Sequence, residues 1–416
     1  MISIKDIIVK KFGGTSLMSI NRIKTIANQI KKSSISNKKL VIVVSAMGSE
    51  TNNLIDLVNS ISKQPAPREL DMLLSTGEQK SIALLTVALN SIGLKAKSFN
   101  SHQSRILTNN LHNNARILEI NTKEIINALN ENYVCVIAGF QGLTSTGDIT
   151  TLGRGGSDTT AVALSAALDA KICEIYTDVD GVYTTDPNIH SDAKIIEKIS
   201  YEEMLELSKL GAQVLHPRAV EIASKFSIPL VVKSSFEDGK GTIIREKEKN
   251  MEKFNVKGIT VDHNIIYFSI EKLPKDPNIC YQLINEINKK DISIDMVIQN
   301  LKNSEFNDLS FTVSKDHFNQ VKKICATFLN QYASSLLQYS SLFSKISIVG
   351  IGINNHPEVL ADFFQCIASL GLNIECLTTS QMKISCLMNK DFSEKAITAL
   401  HDLFFSTHLN SKNTAI

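Results

Sequence analysis

Gly147-Asp148-Ile149-Thr150-Thr151-Leu152-Gly153-Arg154-Gly155-Gly156-Ser157-Asp158-Thr159-Thr160 leads without interruption into Ala161-Val162-Ala163-Leu164-Ser165-Ala166-Ala167-Leu168. Gly153, Gly155 and Gly156 bracket Arg154, so the backbone can take turns that a Cβ forbids and its N–H groups can converge on an anion. Ser157 or Asp158 reads as the N-cap of the alanine-rich helix that follows, whose positive dipole end faces the loop. A junction of this kind is an anion site. An arginine, a carboxylate and several hydroxyls in one turn set it apart from an ordinary glycine turn ahead of a buried helix.

Outward from this loop, apolar runs alternate with amphipathic ones. Ile7 to Phe12, Leu40 to Ser45, Val134 to Ala138, Lys171 to Tyr176 and Ile228 to Lys233 read as buried strands. Helical spacing appears at Ile20, Ile23 and Ile26-Ala27, again at Leu54, Leu57 and Val58, and around Leu73-Leu74-Ser75-Thr76-Gly77-Glu78. The alternation predicts an α/β fold with a mostly parallel sheet covered on both faces. Polar groups gather where the strands end, with Lys11 ahead of Gly13-Gly14 and Ser45 ahead of Gly48. Carboxyl ends of parallel strands are where such sheets bind ligands.

The chain has 416 residues, which predicts two or three domains. A net charge of +2, with 21% charged residues, provides no basic field for nucleic acid or a membrane. A small-molecule partner is expected. Cys135, Cys173, Cys280, Cys325, Cys366, Cys376 and Cys386 are scattered, with no Cys-x-x-Cys pair, and read as free thiols of a cytoplasmic protein. Ile7-Ile8-Val9 is too short for a signal peptide or a membrane span.

No Gly-x-x-x-x-Gly-Lys-[Ser/Thr], His-Glu-x-x-His or Gly-x-Ser-x-Gly occurs, which removes P-loop enzymes, zinc hydrolases and the common serine hydrolases. No side-chain metal site is expected. Phosphoryl transfer asks for positive charge on the moving group, backbone donors and usually magnesium. Lys11, the glycine-arginine loop and the acidic Thr177-Asp178-Val179-Asp180-Gly181 turn match that requirement.

Lys11-Phe12-Gly13-Gly14-Thr15-Ser16, Ser45-Ala46-Met47-Gly48, Ser75-Thr76-Gly77-Glu78, Gly139-Phe140-Gln141-Gly142, the Gly147 loop and the Thr177–Pro187 turn, in that order, together resemble the aspartate kinases. The resemblance implies an amino-acid-kinase αβα sandwich over residues 1–245 that transfers the γ-phosphoryl of ATP-Mg2+ to the side-chain carboxylate of L-aspartate. It implies that Lys11 and Asp158 are catalytic, that Arg154 grips the α-carboxylate and that Glu78 takes the ammonium. Ser45, Thr51, Phe140, Gly155, Gly156 and Ser157 would line the substrate pocket. Lys11, Phe12, Gly13, Gly14, Thr177, Asp178, Tyr183, Asp186, Gln213 and Val214 would hold the nucleotide. Taken singly, Tyr183, Asp180 and Thr51 also suit packing or turn roles. Asn188 and Gln213 stand where relatives often carry cations, which implies weaker ATP binding, with Arg218 close enough to compensate in part. His216 reads as structural.

From Phe236 to Asn255 the chain turns polar and charged and reads as an exposed linker, with Met251 read as a linker methionine and the start of a separate regulatory chain as the alternative. Beyond it, Asp291-Ile292-Ser293-Ile294-Asp295-Met296-Val297 parallels Gly371-Leu372-Asn373-Ile374-Glu375-Cys376-Leu377. Each copy has a strand (Ile265 to Ile270; Lys345 to Gly350), a proline (Pro277; Pro357), an amphipathic helix and a closing strand (Leu309 to Val313; Lys383 to Leu387). The helix faces are Ile279, Leu283 and Ile287 in one, and Leu360, Phe363, Phe364 and Ile367 in the other. The repeats resemble paired ferredoxin-like ACT domains, placed at 258–335 and 344–416. That resemblance implies lysine or threonine as effector at Asp295, Gln299, Asn300, Asn373 and Ile374, and homo-oligomers formed through these domains. Asn278 and Glu358 replace a glycine common in relatives, which implies weakened or altered feedback. A homoserine dehydrogenase fusion is not expected at this length. A glutamate kinase, or a non-catalytic amino-acid sensor, is the alternative function.

Overall fold

The computed structural model describes residues 7–34, 38–212, 214–246, 256–301, 306–332 and 334–406. The chain forms two compact units, Met1–Tyr183 with Lys194–Met251, and Thr184–Ala193 with Glu252–Ile416. The segment Thr184–Ala193, inside the 1–245 span expected for the kinase domain, groups with the second unit. Its contacts explain why: the N–H of Ile259 donates to the carbonyl of Thr184 at 2.7 Å, and Thr184 Oγ1 meets His401 Nε2 at 2.9 Å.

In the first unit the elements run β1 (Ile7–Phe12), α1 (Ile20–Ser34), β2 (Lys39–Val44), α2 (Glu50–Ile61), α3 (Pro67–Ser91), β3 (Ala96–Phe99), α4 (Ser101–Ser104), β4 (Ile106–Thr108) and β5 (Ile117–Ile120). They continue with α5 (Lys123–Asn130), β6 (Val134–Ala138), β7 (Gln141–Leu143), β8 (Ile149–Thr151), α6 (Gly156–Ala167), β9 (Ile172–Thr177), β10 (Lys198–Ser200), α7 (Tyr201–Lys209), α8 (Pro217–Lys225), β11 (Leu230–Ser234) and β12 (Thr242–Arg245). The main sheet has the order β10-β12-β11-β9-β1-β2-β6-β3. Only the β11–β12 pairing is antiparallel among those described. Every residue of β1 is buried, as a strand covered on both faces requires. Ile23, Ile26, Ala27 and Ile30 of α1 share one face and pack with Ile82, Leu85 and Leu89 of α3 in the core beneath β1, β2 and β6.

Two features depart from the sequence reading. Thr242–Arg245, inside the expected linker, is a strand of the sheet between β11 and β10, with Thr242 and Ile244 fully buried. Its apolar content is two isoleucines between charges, too little to stand out. Ile149–Thr151, expected as loop, is a strand of a second small sheet, β5-β4-β7-β8. That sheet carries the glycine-arginine loop to the end of β1.

The second unit holds β13 (Gly258–Asp262), β14 (Ile265–Pro274), α9 (Pro277–Asn288), β15 (Val297–Leu301), β16 (Phe306–Ser314), α10 (Phe318–Leu329), β17 (Leu336–Ser340), β18 (Phe343–Val349), α11 (Pro357–Ser369), β19 (Cys376–Thr379), β20 (Lys383–Asn389) and α12 (Ser393–Phe405). Two antiparallel sheets result, β15-β16-β14-β17 and β13-β18-β20-β19, each with its own helices and core. Strand β13, expected in the 258–335 repeat, pairs instead with β18, Gly258 opposite Val349. The first repeat is thus inserted between the strands of the second, and it closes with β17, which runs past residue 335. On α11 the buried stripe is Val359, Phe363 and Ile367, while Phe364 is exposed. One step of 100° along a helix takes Phe364 off the core face. No helix among the described residues is long and apolar enough to cross a membrane.

Candidate active site

Strand β1 lies between β9 and β2, with Lys11 opposite both Ile175 and Val43. Parallel pairing therefore puts the carboxyl ends of these three strands side by side, and the loops that follow them form one rim. Helix α6 starts at that rim. Gly155, at φ +67°, is its cap, so neither Ser157 nor Asp158 is the N-cap, and both belong to the first turn. This corrects the sequence reading by two or three residues. Its consequence is that the Asp158 carboxylate points from the helix start toward β1 rather than back at its own backbone.

Lys11 Nζ lies 2.6 Å from Asp158 Oδ1, with side-chain exposures of 11% and 12%. The pair sits in a cavity of about 250 Å3, the size of a small-metabolite site rather than a nucleotide site. Ser45, Thr51, Glu78, Phe140, Arg154, Gly155, Gly156 and Ser157, all expected to line a substrate pocket, line it here with Gly14. Ala46, Gly48 and Gly153 also contribute. They lay inside quoted motifs but carried no side-chain signal of their own.

The electrostatics have two poles. Glu78, on α3, is 2% exposed and takes the backbone N–H of Ala46 at 3.0 Å on Oε1, while Oε2 has no hydrogen-bond partner among the described residues. Burial pushes its carboxyl up to about 8, against the pull of the Ala46 N–H. Gly77 lets α3 come this close, because a Cβ there would stand 2.8 Å from Ala46 Cβ. Arg154 is exposed and makes no ion pair among the described residues. Phe140 holds the left-handed conformation, φ +67°, its N–H donating to Thr160 Oγ1 at 3.1 Å and its carbonyl accepting from Leu152 N at 2.8 Å. Backbone strain of this kind is held by its surroundings and clusters at functional sites.

The glycine-arginine loop is held from behind. Asp71 is fully buried and accepts from Thr151 Oγ1 at 2.5 Å and Asn113 N at 3.1 Å, and meets His112 Nδ1 at 2.7 Å. Arg218 donates to the carbonyls of Leu152 at 2.6 Å and Ala115 at 2.9 Å. Both terminal nitrogens of Arg218, the residue expected to compensate in part for the missing cations, are therefore engaged with backbone carbonyls. His216 caps α8 by accepting from Arg218 N at 3.3 Å, and burial, then Arg218, lowers its pKa. The lone signal for Asp71 was a carboxylate within a helical pattern, which reads equally as a solvated charge.

The expected nucleotide residues are less gathered. Phe12 is in the core, stacked on Tyr176 at 4.7 Å, so only its backbone can face a ligand. Gly13 donates its N–H to the Tyr176 carbonyl, and Lys11 Nζ stands 3.6 Å from where a Gly13 Cβ would be. Thr177 ends β9 and its Oγ1 donates to Asp178 Oδ1 at 3.1 Å, and Tyr183 OH donates to Asp180 at 3.4 Å. Asp186 belongs to the second unit, where its Oδ1 accepts from Asn188 N and Nδ2. Val214 is half-buried ahead of α8, and Gln213 lies outside the described residues, as does Met251.

Of the expected effector contacts, Asp295 is ion-paired with Lys345, a buried lysine of the other repeat. Gln299 and Asn300 are exposed on the edge strand β15, and Asn373 and Ile374 precede the edge strand β19. Asn278 bonds back to Asp276 and Glu358 to His356, so both side chains that replace glycine are tied to their own helix starts.

Residues 6–234 match the model of the amino acid kinase family, and residues 346–404 match an ACT domain model. The chain is 44% identical to an aspartate kinase of Pseudomonas putida, over 96% of this chain and 97% of that protein. It is 43% identical to an aspartokinase of Geobacillus stearothermophilus over the same shares. Among solved structures, E. coli aspartokinase III in complex with aspartate and ADP has a similar fold, with a TM-score of 0.81 at 23% identity, covering 96% of this chain and 100% of that one.

Proposed function

The chain belongs to the aspartate kinases, and we propose from its site how it moves the γ-phosphoryl of ATP onto the side-chain carboxylate of L-aspartate. The products are 4-phospho-L-aspartate and ADP, at the entry to lysine, threonine and methionine synthesis. The observation that carries the residue assignments is the buried Lys11–Asp158 pair inside a cavity with the Glu78 carboxyl at one pole and, at the other, the Arg154 guanidinium, unpaired among the described residues.

Arg154 takes the α-carboxylate of aspartate through its planar fork. Glu78 takes the α-ammonium, and Ser45, Thr51, Phe140, Gly155, Gly156 and Ser157 shape the space between. The side-chain carboxylate then points at Lys11. One of its oxygens forms the new bond to the γ-phosphorus as the bond from that phosphorus to the β–γ bridging oxygen breaks, and the electron pair leaves on ADP. The Lys11 ammonium stabilises negative charge on the transferring group, and Asp158 holds that ammonium in place. Thr177, Asp178 and Tyr183, with the backbone of residues 12–14, hold the nucleotide. Magnesium bound with ATP would neutralise its phosphates, and Asp178 and Asp180, carboxylates just past β9, would be the hard oxygen donors available to it.

Further parts of this reading are a cytoplasmic location, consistent with seven free thiols, and self-association through the ACT edge strands. The effector of those domains is lysine or threonine. An ATP-dependent aspartyl-hydroxamate assay tests the reading. Turnover with aspartate that disappears in Lys11→Ala supports it, and preference for glutamate, or no turnover in a folded protein, overturns it.

A further inference from the structure

One cluster in the second unit takes no part in phosphoryl transfer. His190, on the Thr184–Ala193 segment, is 8% exposed, and its Nε2 is buried with no hydrogen-bond partner among the described residues. That nitrogen lies 3.5 Å from Asp402 Oδ1. The His401 ring, 2% exposed, faces the His190 ring at a centroid distance of 4.3 Å. One donor atom from each of His190, His401 and Asp402 lies within 4.8 Å of the others.

A buried polar atom left without a partner costs about 1–3 kcal/mol, so its persistence asks for an explanation. Two imidazoles and one carboxylate are the donor set of borderline divalent ions. We propose that His190, His401 and Asp402 bind a divalent transition-metal ion, zinc being the one whose chemistry fits best. Three protein donors with a fourth position open to water is a regular zinc arrangement, with metal–nitrogen bonds of about 2.0–2.1 Å. The donors must draw together to reach it. Asp402 can do so, since its side chain is 56% exposed at the end of α12. His401 is held from both sides, by Thr184 Oγ1 at 2.9 Å on Nε2 and by the Phe405 ring stacked at 4.7 Å. Supporting contacts of this kind orient a metal-bound imidazole. The ion ties residues 184–193 to α12 across a long separation in sequence, which is why no ligand spacing announces it.

The test uses the full chain, stripped with chelator and free of nucleotide. Zn2+ is titrated by calorimetry and Co2+ by visible absorption, with His190→Ala and Asp402→Asn alongside. Asp402→Asn alters an exposed side chain, so folding is preserved even if His190→Ala disturbs the core. The expected result is one equivalent bound to the parent chain, a Co2+ spectrum without thiolate charge transfer, and affinity at least about ten-fold lower in both variants. No uptake by the parent chain overturns the proposal, as does binding in both variants equal to that of the parent chain. A thiolate band from Cys366, which feels the Asp402 charge, overturns it too.

Discussion

A Cβ on Gly155 would stand 2.2 Å from Cβ of His216, and Gly155 already holds φ +67°. The start of α8 is thereby pressed against the start of α6, and the loop that carries Arg154 has one path between them. Gly155→Ala should destabilise the protein by more than about 1 kcal/mol, because alanine is strained at positive φ even without the clash. Aspartate KM should rise more than ATP KM. His216→Gly added to Gly155→Ala should recover part of the loss by removing the clash. Denaturation midpoints and initial rates of the single and double variants check this.

Lys11→Ala should lower kcat by roughly 10²–10³, about 2.7–4 kcal/mol of transition-state stabilisation. Asp158→Asn should also lower kcat while leaving aspartate KM within a few-fold. Steady-state kinetics with coupled ADP detection separates the two.

Arg154→Ala should raise aspartate KM by roughly 10- to 150-fold, the equivalent of about 1.5–3 kcal/mol for a charge-assisted bond. Arg154→Lys should recover only part, since an ammonium cannot make the two-pronged contact. ATP KM should stay near the parent value.

Glu78, with a pKa pushed up to about 8 by burial, is largely protonated at pH 7 in the free enzyme. Binding of an ammonium group needs the carboxylate. Aspartate binding at pH 7 should therefore release close to one proton, measured by calorimetry in buffers of different ionisation enthalpy, and aspartate should bind more tightly as pH rises toward 8. The stability sign is opposite to that of a salt-bridged acid. The unfolded carboxyl ionises near 4.5 while the folded one does not, so stability falls as pH climbs from 4.5 to 8. Glu78→Gln should abolish the proton release and flatten that slope.

Asn278 and Glu358 place side chains at the helix starts where a backbone approach to an effector is expected. Lysine and threonine should therefore inhibit weakly, with inhibition constants well above the low-micromolar range. Initial rates against a titration of each amino acid decide this, and strong inhibition by either would refute it.

The continuous apolar strands, the glycine-arginine loop and the paired repeat were legible because each rests on a local period or a local conformational demand. Ile7–Phe12 needs burial on both faces and Gly155 needs a positive φ, and both can be read from a few adjacent residues. Thr242–Arg245 and Gly258–Asp262 were misassigned because their own residues are too few to declare a partner, and Thr184–Ala193 declares none either. Their places are set by pairing with β11, with β18 and with α12.

The class of the fold, its kinship and the side chains able to serve phosphoryl transfer follow from residue type and order along the chain. Only the packed molecule shows that Lys11 and Asp158 meet at 2.6 Å, that Arg218 grips the carbonyl of Leu152, and that Glu78 is buried deeply enough to hold its proton. Distances and burial depend on how remote segments pack, and packing energy is shared among residues that no local pattern connects.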